Sequence, residues 1–245
     1  MNEEKLYTPP DLEADDAEDT PEERTALMLG ADAVERLKGA KVMIIGIGGV
    51  GGHALEAIVR AGVGTVAVVD GDKVARSNLN RQFLATVKTI GMAKTEAARE
   101  RVADIAPNCR LITHDLFITP ENVSTLNLAE YDYVIDAIDT VTSKIAIIKE
   151  AKRCGVPIIS SMGTGNKLDP TRFRISDVEK TNTDPLARAV RGMLKKEGIQ
   201  KVKVLWSDEP PISVGKRTPG SVSFVPSVAG IIIASCVIKD MIGRS

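Results

Sequence analysis

Two runs of residues carry most of the chemical meaning in this sequence. In the first, Gly46, Gly48 and Gly51 form a G-x-G-x-x-G pattern, with Gly49 inside it, directly after the apolar run KVMIIG. Glycines so spaced let the backbone turn tightly and approach phosphate, which the free N–H groups of a following helix can meet. Asp70 closes the next apolar run, TVAVVD, 19 residues after Gly51, where a carboxylate can accept from ribose hydroxyls. These residues predict a nucleotide without saying which one.

The second run narrows the choice. Asp72, Asn78, Arg81 and Gln82 follow Asp70 within twelve residues, and Lys94 stands at the start of a predicted helix. A dinucleotide oxidoreductase has no call for cations beside its phosphates. Arg81 and Lys94 converging on a phosphate chain would neutralise a triphosphate and its departing pyrophosphate. Asp139, at the end of the predicted strand YDYVIDAID, is placed to hold a magnesium ion that bridges those phosphates. The set fits attack on the α-phosphate of ATP. Each residue alone has a plainer reading: a solvated loop arginine, a solvent-facing lysine at a helix start, an aspartate capping a helix. Their order together carries the inference. A noncatalytic ATP-binding protein stays open as an alternative.

The elements that must position these residues follow from periodicity. Residues 24–38 place Leu27, Met28, Ala31, Val34 and Leu37 at helical spacing and predict one helix. KVMIIG and TVAVVD are predicted strands flanking a helix over 50–61, and a helix over 93–105 stops at Pro107. RLITHD, YDYVIDAID and VPIISS supply three more strands, with a helix over 142–153 between the last two. Strands alternating with helices predict an α/β fold, a Rossmann-like doubly wound and mostly parallel sheet. Beyond Ser161 the pattern changes. TRFRISDVE reads as a strand that need not join parallel, Asp184 and Pro185 as a helix cap and first turn, and KVKVLWS as a last strand. The C-terminal half therefore adds β structure of its own.

Composition bounds the rest. The chain has 245 residues, 43% hydrophobic and 27% charged, enough to bury a core without disulfides or metal. Cys109, Cys154 and Cys236 are far apart with no C-x-x-C pair, which suits a reducing, cytoplasmic compartment. The opening residues are acidic and Pro-containing, with no signal-peptide pattern. Ten acids and two cations fall in the first 24 residues, out of 33 and 32 overall, leaving 30 basic and 23 acidic residues in the body. Residues 1–23 read as a disordered acidic tail and 24–245 as a single domain, with a nucleotide-binding half over 24–161 and a second half over 162–245. The apolar stretch near the C-terminus falls short of the about 20 residues of a membrane span and contains Pro226 and Gly230, so it is expected as a buried helix, with membrane association disfavoured.

GIGGVG, VVDGDKV, SNLNRQ, GMAK and DAID together resemble the ATP-binding core of the ubiquitin-activating-like adenylyltransferases. In that superfamily the residue matching Asp70 binds ribose, those matching Asn78, Arg81 and Lys94 line the phosphates, and the one matching Asp139 approaches magnesium. Arg24 matches an arginine that a partner subunit contributes, so the resemblance implies a homodimer. Within the superfamily, residues 161–196, with GTGNKLDPTRFRISD followed by KTNTDPLA, resemble the tRNA threonylcarbamoyladenosine dehydratases. That branch implies ATP-dependent closure of a ring on a modified adenosine beside the tRNA anticodon, through an acyl adenylate. It implies magnesium and a monovalent cation, K+ or Na+, near residues 163–167, and leaves room for a sulfur-mobilising protein partner. Some members carry a cysteine in the segment matching VKVLWSDEPP, where this chain has Leu205 and Trp206; a thioester step is therefore not expected. The alternative reading is an activator of a ubiquitin-like sulfur carrier. For tRNA the candidate surface is the run from Lys180 to Lys203, seven basic residues against two acidic, with Arg188, Arg191 and Lys195 on one helix face.

Overall fold

The computed structural model describes residues 20–215 and 218–244. The acidic tail lies, up to residue 19, outside the described residues. Two helices, α1 (Glu23–Leu29) and α2 (Ala31–Gly39), precede the sheet. They correct the single helix expected over 24–38. Gly30 separates them with φ +90° and ψ 153°, a backbone no helix contains.

The sheet has seven strands: β1 (Lys41–Ile45), β2 (Thr65–Val69), β3 (Arg110–His114), β4 (Tyr133–Asp136), β5 (Ile158–Ser161), β6 (Phe173–Asp177) and β7 (Lys203–Ser207). Their spatial order is β3-β2-β1-β4-β5-β7-β6, parallel throughout except β6, which pairs antiparallel with β7. The helices between them are α3 (Gly51–Arg60), α4 (Lys94–Ile105), α5 (Val141–Cys154) and α6 (Pro185–Lys196), with α7 (Phe224–Met241) closing the fold. The chain moves outward from β1 through β2 to β3, then returns to place β4 on the other side of β1. Ligands bind outside the carboxyl ends of the strands at such a reversal.

Strand alternation explains the near-continuous apolar runs. Val42 and Ile44 point into one core with Val66, Val68, Ile58 and Ile233; Met43 and Ile45 point into the other with Val69, Ile147 and Leu194. Both faces of the central strands are covered, so no polar alternation survives in their sequence. YDYVIDAID stops being a strand at Asp136 because Ala137 and Ile138 turn to pack on Gly46.

By length and composition alone α7 could cross a membrane, which the expected span length had discounted. Its packing makes it a core helix. Val225, Ala229, Ile233 and Val237 are fully buried, and a Cβ at Gly230 would come within 2.3 Å of the Val50 carbonyl oxygen on the approach to α3. The long loop before α7 is closed at its base by Asn166: its N–H donates to Gly220 O, its carbonyl accepts from Ile212 N–H, and its Oδ1 accepts from Gly220 N–H.

Candidate functional site at the sheet reversal

A cavity of about 900 Å³ opens at the carboxyl ends of β1, β2 and β4. Its floor is the glycine loop. Gly46 sits at φ +85°, and a Cβ there would lie 2.8 Å from Ile138 Cγ2. Gly51 takes no part in the lining. It lets α3 start against the turn, since a Cβ on it would fall 1.8 Å from the Gly46 carbonyl oxygen. Gly48 and Gly49 face the cavity beside Gln82 and Arg81.

Asp70 is held as a shaped acceptor. Its Oδ2 accepts from Ile47 N–H at 2.9 Å and its Oδ1 from Asp72 N–H at 2.9 Å. Lys94 is not solvent-facing, as a lysine at a helix start was expected to be; it is 5% exposed. Its Nζ donates to Asp72 Oδ2 at 2.7 Å and stands 3.4 Å from Asp70 Oδ1. Two carboxylates from the β2 loop compensate its burial. Arg81 lies on the rim, its guanidinium donating to Ser77 O at 2.9 Å and Asn80 Oδ1 at 2.8 Å. Asn78 caps the turn beneath it, Oδ1 accepting from Ala75 N–H. Asn80 Nδ2 donates to Ser221 O, joining this loop to the segment before α7.

The cavity brings together Gly46, Gly48, Gly49, Asp70, Asp72, Asn78, Arg81, Gln82, Lys94 and Asp139. Arg24, on α1, is exposed and outside the lining. Asp139 is exposed on a turn three residues beyond the end of β4 rather than on the strand itself. Among the described residues no three His, Cys, Asp or Glu side chains cluster as a metal cage. A lone exposed carboxylate at the cavity is a donor set that fits magnesium, an ion that keeps several waters and needs only one or two carboxylates. Sequence reasoning missed the wall made by 116–121, where Phe117 is 64% exposed, and the contributions of Thr164, Ser221 and Pro226. Position beyond the end of β3, beside the reversal, was the available signal for the first of these.

The basic face is split. Lys180, Arg188 and Lys195 are exposed, and Arg188, Arg191 and Lys195 border a hollow of about 510 Å³ on α6. Arg191, however, is committed inward, donating to Thr181 O at 2.5 Å and Thr181 Oγ1 at 2.6 Å. At the start of α6, Asp184 caps the helix by accepting from Ala187 N–H at 3.0 Å. Its Oδ2 is buried with no partner among the described residues, close to Gly163, and burial pushes its carboxyl up from the ordinary range. Lys167 nearby is buried too, donating to Glu209 O, and desolvation lowers its ammonium.

The ThiF family model matches residues 22–245. The chain belongs to the ThiF family. This ThiF-family chain is 43% identical to the tRNA threonylcarbamoyladenosine dehydratase of Bacillus subtilis, over 89% of its length and 93% of the relative's. The crystal structure of the Escherichia coli tRNA N6-threonylcarbamoyladenosine dehydratase in complex with ATP superposes with a TM-score of 0.85 at 35% identity, covering 90% of this chain and 93% of that one. The adenylyltransferase and sulfurtransferase UBA4 of Candida glabrata is 36% identical over 58% of this chain, which spans about a third of that protein. Likeness to the dehydratases thus reaches through β6, α6 and β7. The family chain has none of its three cysteines in the cavity lining.

Proposed function

We propose that this chain uses ATP to cyclise N6-threonylcarbamoyladenosine beside the anticodon of a tRNA. The observation that carries the proposal is the single cavity at the sheet reversal, in which the glycine loop, Asp70, Arg81, Lys94 and Asp139 meet. Its support from relatives is the 43% identity to a named dehydratase along nearly the whole chain.

In the reaction a carboxylate oxygen of the threonyl group bonds the α-phosphorus of ATP and pyrophosphate leaves. The neighbouring carbamoyl group then bonds the activated carbonyl carbon, AMP departs with that oxygen, and a proton passes to water. Because the second nucleophile belongs to the same nucleoside, the protein needs mainly to position groups and neutralise charge. In this reading Asp70 accepts from the ribose hydroxyls. The N–H groups at the start of α3 face the phosphates, with Asn78 and Gln82 beside them. Arg81 and Lys94 oppose the charge that develops on pyrophosphate. Asp139 would hold magnesium, which supplies further positive charge to the same oxygens. A K+ or Na+ ion would suit the buried, unpartnered Asp184 Oδ2 beside Gly163.

The tRNA lies, in this reading, along the exposed cations Lys180, Arg188 and Lys195. Arg24 reaches the ATP of a second copy, and Leu27 and Met28, 81% and 77% exposed on the same helix, fit burial in that homodimer. A sulfur-mobilising partner finds no thiol in this cavity to serve. The cytoplasm, where the tRNA substrate is found, is the expected location.

ATP–pyrophosphate exchange tests the proposal. Exchange is expected with tRNA bearing the modification and not with unmodified tRNA. Exchange triggered instead by a small protein ending in Gly-Gly would make the chain a sulfur-carrier activator.

A further inference from the structure

Asp136 and Lys144 form an ion pair in which both side chains are wholly buried, and neither lines the nucleotide cavity. The Asp136 carboxylate collects donors from three elements. Its Oδ2 accepts from Lys144 Nζ at 2.9 Å, in the first half of α5, and from Ser160 Oγ at 2.5 Å on β5. Its Oδ1 accepts from Ile138 N–H at 3.3 Å, inside the turn that follows. An apolar pair of similar volume would fill this space at no greater cost, because two desolvated charges recover little of what they lose. The mechanism proposed above uses neither residue directly.

What the pair encloses is the arch over residues 137–140, which carries Asp139. One foot of the arch is Asp136 at the end of β4; the other is the start of α5, which Lys144 ties back to Asp136. The arch rests on the glycine loop: Ala137 N–H donates to Ile45 O at 2.8 Å, and the Ala137 carbonyl and the Ile138 side chain crowd Gly46. Both feet are pinned by one charge pair, and the crown is pressed against the phosphate-facing turn. We infer that Lys144, Asp136 and Ser160 are positioning residues that fix Asp139 at the height of the nucleotide's phosphates. The inference rests on the reading in which Asp139 faces phosphate-bound magnesium. Partners of a metal-binding carboxylate's own scaffold act on affinity through geometry, not through contact with the ion.

The test is nucleotide binding rather than turnover: the affinity of the full chain for ATP by calorimetry, with and without magnesium, alongside Tm. The double variant Asp136→Leu with Lys144→Met removes both buried charges together but leaves the Ser160 hydroxyl and the Ile138 N–H without their acceptor, so a modest fall in Tm is expected, smaller than for either single change. Its affinity for metal-free ATP is expected to stay within about twofold, while the gain on adding magnesium falls about tenfold. A folded double variant with the full magnesium gain overturns the inference. Should that variant not fold, Ser160→Ala removes one of the three donors alone; a reduced magnesium gain with unchanged metal-free affinity supports the role, and an unchanged gain overturns it. Asp139→Ala separates the two levels. If it keeps the magnesium gain, the placement of the metal fails and this inference with it. If it loses the gain while the double variant keeps it, only the inference fails.

Discussion

Two lysines, Lys94 and Lys144, sit in the early turns of crossover helices, and each is buried against aspartate from the preceding strand and its loop. Their surroundings differ. Lys94 borders the cavity and its partner Asp72 is 55% exposed, so its charge is shared with water and open to exchange with an anion. Lys144 and Asp136 are sealed from solvent, and among the described residues their side chains have only each other, Ser160 and a backbone N–H as partners. The same chemical pair therefore serves two ends. Where a ligand can enter, compensation is divided between two carboxylates and neither bond is indispensable. Where none can, a single pair sets the shape of the backbone.

Breaking the sealed pair on one side should give the largest effect. Lys144→Ala strands a buried carboxylate and is expected to cost about 3–5 kcal/mol of stability, read from denaturant unfolding. A loss below about 1 kcal/mol would place Lys144 among ordinary surface pairs. At the open pair the order reverses: Lys94→Ala is expected to slow AMP formation by about a hundredfold or more, with a smaller loss of stability because Asp72 returns to water. Turnover within threefold of the wild type would remove Lys94 from the phosphate site. Next comes the basic face, where Arg188→Ala with Lys195→Ala should lower the slope of log affinity for tRNA against log salt by about two. Arg191→Ala should instead loosen α6, since its guanidinium serves Thr181. The smallest effect concerns Asp184. Burial raises its carboxyl above the unfolded value, so the stability it contributes is present below the ordinary aspartate range and is lost as pH rises through the folded value. Asp184→Asn keeps the cap and should flatten that decline in a pH series of Tm.

The contrast between the lysines also marks how far the residues alone could be read. The glycine spacing, Asp70 and the Asn78–Arg81–Gln82 run state their chemistry locally, and the cavity gathers them. The central strands were legible because both of their faces are covered and their runs are almost wholly apolar. Asp184 and Pro185 announced α6 because capping is a local act. What stayed hidden depends on distance along the chain. Nothing near Lys94 says that carboxylates 22 and 24 residues earlier will bury it. Arg188, Arg191 and Lys195 share a spacing, yet only the fold brings Thr181 beneath Arg191. The break at Gly30 was masked by apolar positions that keep helical phase across it. The wall at 116–121 has no patterned chemistry, and only its place beyond β3 gives it a role.

The contact between α7 and the beginning of α3 has a consequence for how the protein comes into being. Pro226 lines the cavity and presses on Gly49, and Gly230 admits the Val50 carbonyl. Chains emerge from the ribosome N-terminal end first. The glycine loop and Asp70 are therefore made early but lack a supporting surface until a helix encoded far downstream arrives. A nascent polypeptide lacks this wall of the cavity, and trimming α7 from the mature protein would open the cavity from behind.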